Sequence, residues 1–208
     1  MKINKKLLVI TTIIILIPVI IGLLLWEQLP AEIPVHWGAD NQPDGWAGKT
    51  FAVFGMPVLL AALHVFGLFI TFADPKKNNI GKKTIGLIYW IVPALSLFAM
   101  SASYAFALEK EVNIGMICYL LIGIIFVILG NYLPKAKQNY TFGYKIPWTL
   151  NSEENWNKTH RLAGWIMVAS GIILIINAFF LLEWVLVAVA VLALIPIVYS
   201  YLLFKKGI

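Results

Sequence analysis

The sequence predicts an all-α membrane protein: a bundle of six transmembrane helices with both termini on the cytoplasmic side. Three observations predict it. Of the 208 residues, 61% are hydrophobic and 12% are charged, which leaves more apolar surface than a water-soluble domain of that length can cover. The charges fall between long uncharged runs: Leu7–Trp26, Thr50–Ala73, Thr84–Leu108, Val112–Pro134, Leu162–Leu182 and Trp184–Phe204. Each run reaches the roughly 20 residues a helix needs to cross about 30 Å of hydrocarbon. Finally, of the 16 Lys and Arg residues all but Lys49 and Lys110 lie on one side of the alternating topology. The positive-inside bias makes that side cytoplasmic.

Lys2, Lys5 and Lys6 precede the first run and resemble the basic region of a signal peptide. The apolar run is too long for one, and no small-x-small cleavage site precedes the acidic stretch after Trp26, so a retained helix is expected. The single cysteine, Cys118, falls inside the fourth run. It supplies neither a disulfide framework nor a cysteine metal site. The net charge of +6 is spread over short loops beside membrane ends, where it faces anionic lipids. Direct nucleic-acid binding, which needs a cluster in one folded domain, is not expected.

The outer loop between the first two helices, residues 26–50, carries Pro30 and Pro34, which keep it extended. Gln42-Pro43-Asp44-Gly45-Trp46 has the chemistry of a turn, with Pro43 presetting φ and Gly45 free to take a positive one. An ordered loop follows, with a short strand at Val35-His36-Trp37. Glu32, His36, Asp40 and Asp44 are four potential ligands there. One imidazole with irregularly spaced carboxylates is a weak signal for a divalent metal, so a solvated hydrogen-bonded loop is expected, with no cofactor. In the spans, His64, Asn131 and Asn177 are polar, and interhelical hydrogen bonding is the expected use of the asparagines. His64 is ionisable at mid-span, the kind of residue that also marks a pathway.

The inner link Asp74–Lys83 is short and basic. The remaining long connection, residues 134–161, is the cytoplasmic entrance to the fifth helix. Ile146-Pro147 imposes an extended residue and stops any preceding helix. Asn151-Ser152-Glu153-Glu154 reads as a helix start, with Asn151 as cap and Glu154 in the capping-box position. Trp156, His160 and Gly164 then share one face at i, i+4 and i+8. Tryptophan and lysine suit an interfacial anchor. The compact run Lys145-Ile146-Pro147-Trp148-Thr149 and the His160-Arg161 pair suit a docking surface for a peptide, a protein or a lipid headgroup equally well. The chain is expected to divide into an N-terminal two-helix unit, residues 1–83, and a C-terminal four-helix unit, residues 84–208.

Two stretches carry a resemblance. LPAEIPVHWGADNQPDGWAGK is similar to the outer-loop motif of a bacterial membrane domain that pairs Leu-Pro-x-x-Ile-Pro-x-His with a later Pro-Asp-Gly and Lys. GYKIPWTLNSEENWNKTHRLAG resembles the C-terminal motif of the SdpI family of membrane immunity proteins, which resist a sporulation-delaying (cannibalism) toxin. The matching residues are Gly143, Lys145, Pro147, Trp148, Thr149, Leu150, Trp156, Arg161 and Gly164. The family pattern carries arginine where Lys145 stands, and lysine is a point charge without the bidentate fork. The resemblance implies a non-enzymatic protein of the bacterial cell membrane that gives resistance to a secreted peptide toxin. It also implies a sensor role, in which a small DNA-binding autorepressor is held at the membrane. In that picture His36, Trp37, Asp44 and Gly45 meet the toxin or order the outer loop, and the inner motif meets the repressor.

An intramembrane or interfacial enzyme acting on a peptide or lipid is the alternative. His36 with Asp44, His160 with Glu153 or Glu154, and Cys118 are its only raw materials. No HExxH or GxSxG motif is present. A transporter is disfavoured because no Asp, Glu, Lys or Arg lies in a span core.

Overall fold

A computed structural model describes residues 2–38 and 40–208. Among these, six helices are long and apolar enough to cross a membrane. Helix α1 spans Lys5–Leu24 and is capped by Asn4, whose Oδ1 accepts the Leu7 N–H at 3.0 Å. Strands β1 (Glu32–Trp37) and β2 (Pro43–Gly48) form an antiparallel hairpin in the outer loop. A π-helical turn, Phe51–Gly55, leads into α2 (Met56–Ala73). Then come α3 (Lys82–Ala107), α4 (Ile114–Tyr132), the short α5 (Pro147–Asn151), α6 (Glu153–Asn177) and α7 (Trp184–Lys205). The π turn was not foreseen from sequence. Its cause is local: Pro57 has no N–H for the Val53 carbonyl, and the Met56 N–H reaches back to Phe51 instead.

The chain divides into two compact units, and not where the sequence placed the boundary. One unit holds residues 2–70 and 86–114, the other residues 71–85 and 115–208. Most of α3 therefore belongs with α1, α2 and the hairpin, not with the C-terminal helices. The reason is polar. Ser96 Oγ donates to the Ile15 carbonyl at 3.0 Å, and Tyr104 Oη donates to the Pro18 carbonyl at 3.2 Å. In hydrocarbon a hydroxyl must find such an acceptor, and these two tie α3 to α1. Gly22 makes room, since a Cβ there would meet Val53 and Tyr104 at 2.7–2.8 Å.

In the same unit, Leu29, Ile33, Ala52, Val53, Met100 and Tyr104 form the buried cluster on which the hairpin sits. The Trp37 ring packs edge-on to Phe106, centroids 6.0 Å apart. His64, the mid-span histidine, is buried with its Nε2 2.9 Å from Thr11 Oγ1. Because the Thr11 hydroxyl donates to the Leu7 carbonyl at 2.9 Å, the imidazole N–H is the donor in that pair. A helix-to-helix hydrogen bond thus accounts for His64.

In the other unit, α4 and α6 meet through glycines. Gly123 lies against Gly171 and Gly130 against Gly164. A Cβ on any of the four would come within 2.6–2.9 Å of the opposite glycine's carbonyl oxygen. Residue numbers fall on one helix as they rise on the other, so the pair is antiparallel. Spacing of seven residues keeps each glycine pair on one seam, and small residues are what let membrane helices approach this closely. Of the two asparagines foreseen as interhelical, Asn177 of α6 does bond the Tyr119 side chain of α4 and also serves locally, while Asn131 is used locally. Asn177 is the last residue of α6, and it closes the turn to α7 by bonding both the N–H and the C=O of Leu182. Asn131 is exposed and accepts from Lys135 Nζ at 3.2 Å.

Candidate functional site

The inner loop, foreseen as a helix entrance with tryptophans anchoring at the interface, is a folded polar knot inside the second unit. Trp156 is fully buried and stacks on His160, ring centroids 3.8 Å apart with an 18° interplanar angle. Its indole N–H donates to the Ala136 carbonyl at 2.8 Å. His160 is equally enclosed. Its Nδ1 lies 2.8 Å from the Trp156 carbonyl, so that nitrogen carries the proton, and Nε2 accepts the Tyr144 N–H at 2.9 Å. The i, i+4 spacing that put the two rings on one face thus produces a stack, and both ring nitrogens are committed to backbone. Gly143 closes over the imidazole with φ +119°. A Cβ there would overlap His160 Nε2, so only glycine satisfies both backbone and ring.

Thr149 holds the short helix in place. Its hydroxyl donates to the Tyr144 carbonyl at 2.6 Å and accepts the Ile146 N–H at 3.2 Å. Ile146 is extended, as the following proline requires. At the other end, Gln138 Nε2 donates to the Thr149 and Leu150 carbonyls, both at 2.9 Å, which satisfies the C-terminal acceptors of α5. The cap of α6 is Ser152, not Asn151: the Ser152 hydroxyl accepts the Asn155 N–H, and Asn151 is the last residue of α5. A five-residue helix starting at Pro147 consumes the position that the capping pattern assigned to Asn151.

Several members of the knot were not singled out from sequence. Asp74 is 4% exposed, and its carboxylate accepts from the Lys76 N–H, the Tyr140 N–H and the Thr141 hydroxyl at 2.7–2.9 Å. Asn139 folds its own loop, donating to Lys137 and Phe142 carbonyls and accepting from the Thr141 and Phe142 amides. Asn155 is fully buried. It donates to the Ser200 carbonyl at 3.0 Å and accepts from the Ser200 and Thr159 hydroxyls, joining α6 to α7. One signal was available: Asp74 is the only acid in the link DPKKNNIGKK. Tyr144, at the loop's edge, donates to the Ala193 carbonyl at 3.3 Å, and burial holds its phenol above the usual tyrosine value.

What remains outward is narrower than expected. Lys145 and Pro147 are exposed, and Trp148 is half-buried against Tyr201 and Phe204 of α7, at 5.1 and 6.2 Å. Arg161 is exposed on a different face, lining a groove with Lys135 and Asn157. Of the shaping and docking roles expected for the motif, Thr149, Trp156 and His160 take the first and shape the loop from within.

The outer hairpin places its sequence-predicted residues differently. His36 Nδ1 and Asp44 Oδ1 lie 2.5 Å apart on neighbouring strands, both side chains well exposed. Gly45 pairs with His36, and a Cβ on it would approach the His36 Cβ at 2.8 Å. The reversal itself is not at Pro43-Gly45, which lie in β2. It runs from Gly38, whose N–H bonds the Gln42 carbonyl at 2.8 Å, through Asn41 at φ +62°. Asparagine tolerates that conformation, and Asp40 Oδ1 caps the Gln42 N–H. Among the described residues no three His, Cys, Asp or Glu come together to hold a metal.

The SdpI/YfhL protein family model matches residues 135–200, the stretch that runs from the start of the knot to Ser200. A domain of unknown function, DUF1648, matches residues 13–61, covering most of α1 and the hairpin. Over 198 residues the chain is 30% identical to "Immunity protein SdpI" of Bacillus subtilis (strain 168), covering 93% of this chain and 92% of that one. The chain belongs to the SdpI family. No solved structure matches it. As an SdpI-family member with six apolar helices, it is a multi-pass protein of the cell membrane. The SdpI match covers the loop from Lys135 onward, α5, α6 and most of α7.

Proposed function

We propose that this chain is a membrane immunity protein that gives its cell resistance to a secreted peptide toxin. The observation that carries the proposal is the similarity to Immunity protein SdpI along nearly the whole of both chains. In this reading both termini and the knot face the cytoplasm, as the basic loops favour. The outer hairpin, with the exposed His36–Asp44 pair beside Trp37, is the surface that meets the toxin. A sensor role assigns the inner face around Lys145, Pro147 and Trp148 to a small DNA-binding repressor. Anionic lipids surround the basic loops on the same side.

The protein is read as non-enzymatic. The groups that catalysis would recruit are committed elsewhere: both nitrogens of His160 bond to backbone, and Glu154 pairs with Lys158 at 2.7 Å. His36 with Asp44 forms a base–carboxylate pair, but a nucleophile is still needed for covalent chemistry.

The test is survival of toxin-sensitive bacteria that express the chain and are challenged with a sporulation-delaying-type peptide toxin. Protection at immunoblot-verified expression supports immunity, and killing indistinguishable from empty vector refutes it for that toxin. A reporter under a membrane-sequestered repressor tests the sensor role separately. The reporter should rise on toxin addition only in cells carrying the chain.

A further inference from the structure

We infer that the groove between α4 and α6 at the knot's edge is a binding site for the phosphate of an anionic membrane lipid. The groove encloses about 450 Å³ and is lined by Gly130, Asn131, Lys135, Asn157, Arg161 and Trp165, among others. Its floor exists because Gly130 and Gly164 have no side chains to fill it, and their backbones touch. Two cations and two amides from facing helices then rim one opening.

The Arg161 guanidinium has no hydrogen bond or ion pair among the described residues, although the rest of the neighbourhood is closely paired. Its neighbour one turn along α6, Trp165, is 71% exposed. Lys135 is held in position by Asn131 Oδ1 at 3.2 Å and by the Tyr132 ring at 4.9 Å, contacts that leave its charge uncompensated. An unpaired guanidinium beside a fixed ammonium suits a phosphate, which the planar fork can take with two parallel hydrogen bonds. The depth selects a lipid over free phosphate. Glu153–His160 is the polar start of α6, the apolar run begins at Leu162, and Arg161 lies at the junction. Trp165 and Val168 extend the lining toward the apolar side, where an acyl chain and an interfacial indole belong. The inference stands independently of toxin immunity.

The test is native mass spectrometry of the purified full chain, with unfolding temperature measured in the same detergent. Phosphatidylglycerol should remain bound and raise the unfolding temperature, while phosphatidylcholine should do neither. Arg161→Ala with Lys135→Ala should weaken phosphatidylglycerol retention about tenfold or more, the loss expected of a charge-assisted hydrogen bond. Arg161→Lys should fall between. Both side chains are exposed, so a monodisperse elution profile is expected for each variant, and Arg161→Gln serves if the double variant aggregates. Equal retention of the two lipids, or unchanged phosphatidylglycerol binding in the variants, would overturn the site. Stabilisation by inorganic phosphate equal to that by phosphatidylglycerol would overturn its assignment to lipid.

Discussion

Gly143 and His160 occupy a space that admits only one side chain between them. The glycine backbone lies over the imidazole at φ +119°, and any Cβ would enter the ring's Nε2. Substituting Gly143→Ala therefore adds both backbone strain and a clash in the middle of the knot. A loss of about 1–3 kcal/mol from the strained backbone is the minimum expected. It should appear as a lowered unfolding temperature of purified protein, with Ser152→Ala, which removes only a cap, losing about 1 kcal/mol for comparison.

Trp156 contributes a stack and a hydrogen bond that can be separated. Trp156→Phe keeps an aromatic over His160 and removes the donor to the Ala136 carbonyl. A cost of about 1–3 kcal/mol follows from leaving that acceptor unsatisfied. Trp156→Ala also opens a cavity and should cost roughly 3–5 kcal/mol. Equal unfolding temperatures for the two variants would contradict this division.

Asn155 and Ser200 form a reciprocal pair between α6 and α7. Their double-mutant cycle, Asn155→Ala with Ser200→Ala, should show a coupling of about 0.5–3 kcal/mol. Additive losses in reversible unfolding would mean that the two residues act separately.

On the outer hairpin, His36→Ala removes an exposed ion-pair partner. Such a pair contributes about 0–1 kcal/mol, so folding and expression should be nearly unchanged. If the hairpin meets the toxin, survival under challenge should nevertheless drop. Protection equal to wild type at equal expression would move toxin contact away from His36.

The glycine seam makes a sharper demand. Gly171→Leu places a large side chain against the Gly123 carbonyl, and α4 can accommodate it only by moving away. The expected outcome is loss of monodisperse protein. The same change at Gly67, which has open space around its Cβ position, should be tolerated.

Hydrophobic run lengths were enough to place the six helices, because the bilayer sets one length and the chain meets it six times. Ile146-Pro147 and Val35-His36-Trp37 were legible for similar reasons, since proline geometry and β-branched alternation act within a few residues. The knot was not. Beyond the lone acid of its link, nothing local marks Asp74, and nothing marks Gln138 or Asn155, as buried, because their partners lie up to 67 residues away. Trp156 and His160 were placed on one helical face, yet whether that face looks toward lipid or toward Ala136 depends on a loop 20 residues earlier. Asn151 failed differently: its pattern was a sound cap, and a short proline-started helix took the position first.

The Asn155–Ser200 pair also sets an order of events at the ribosome. Asn155 is synthesised 45 residues before its partner, so α6 must enter the membrane while its buried amide is still provisioned by water or by the insertion machinery. The inner loop therefore cannot reach its final arrangement until α7 has arrived. Any nascent chain halted between the two helices carries an incomplete knot, with the Asn155 amide still without its Ser200 partner.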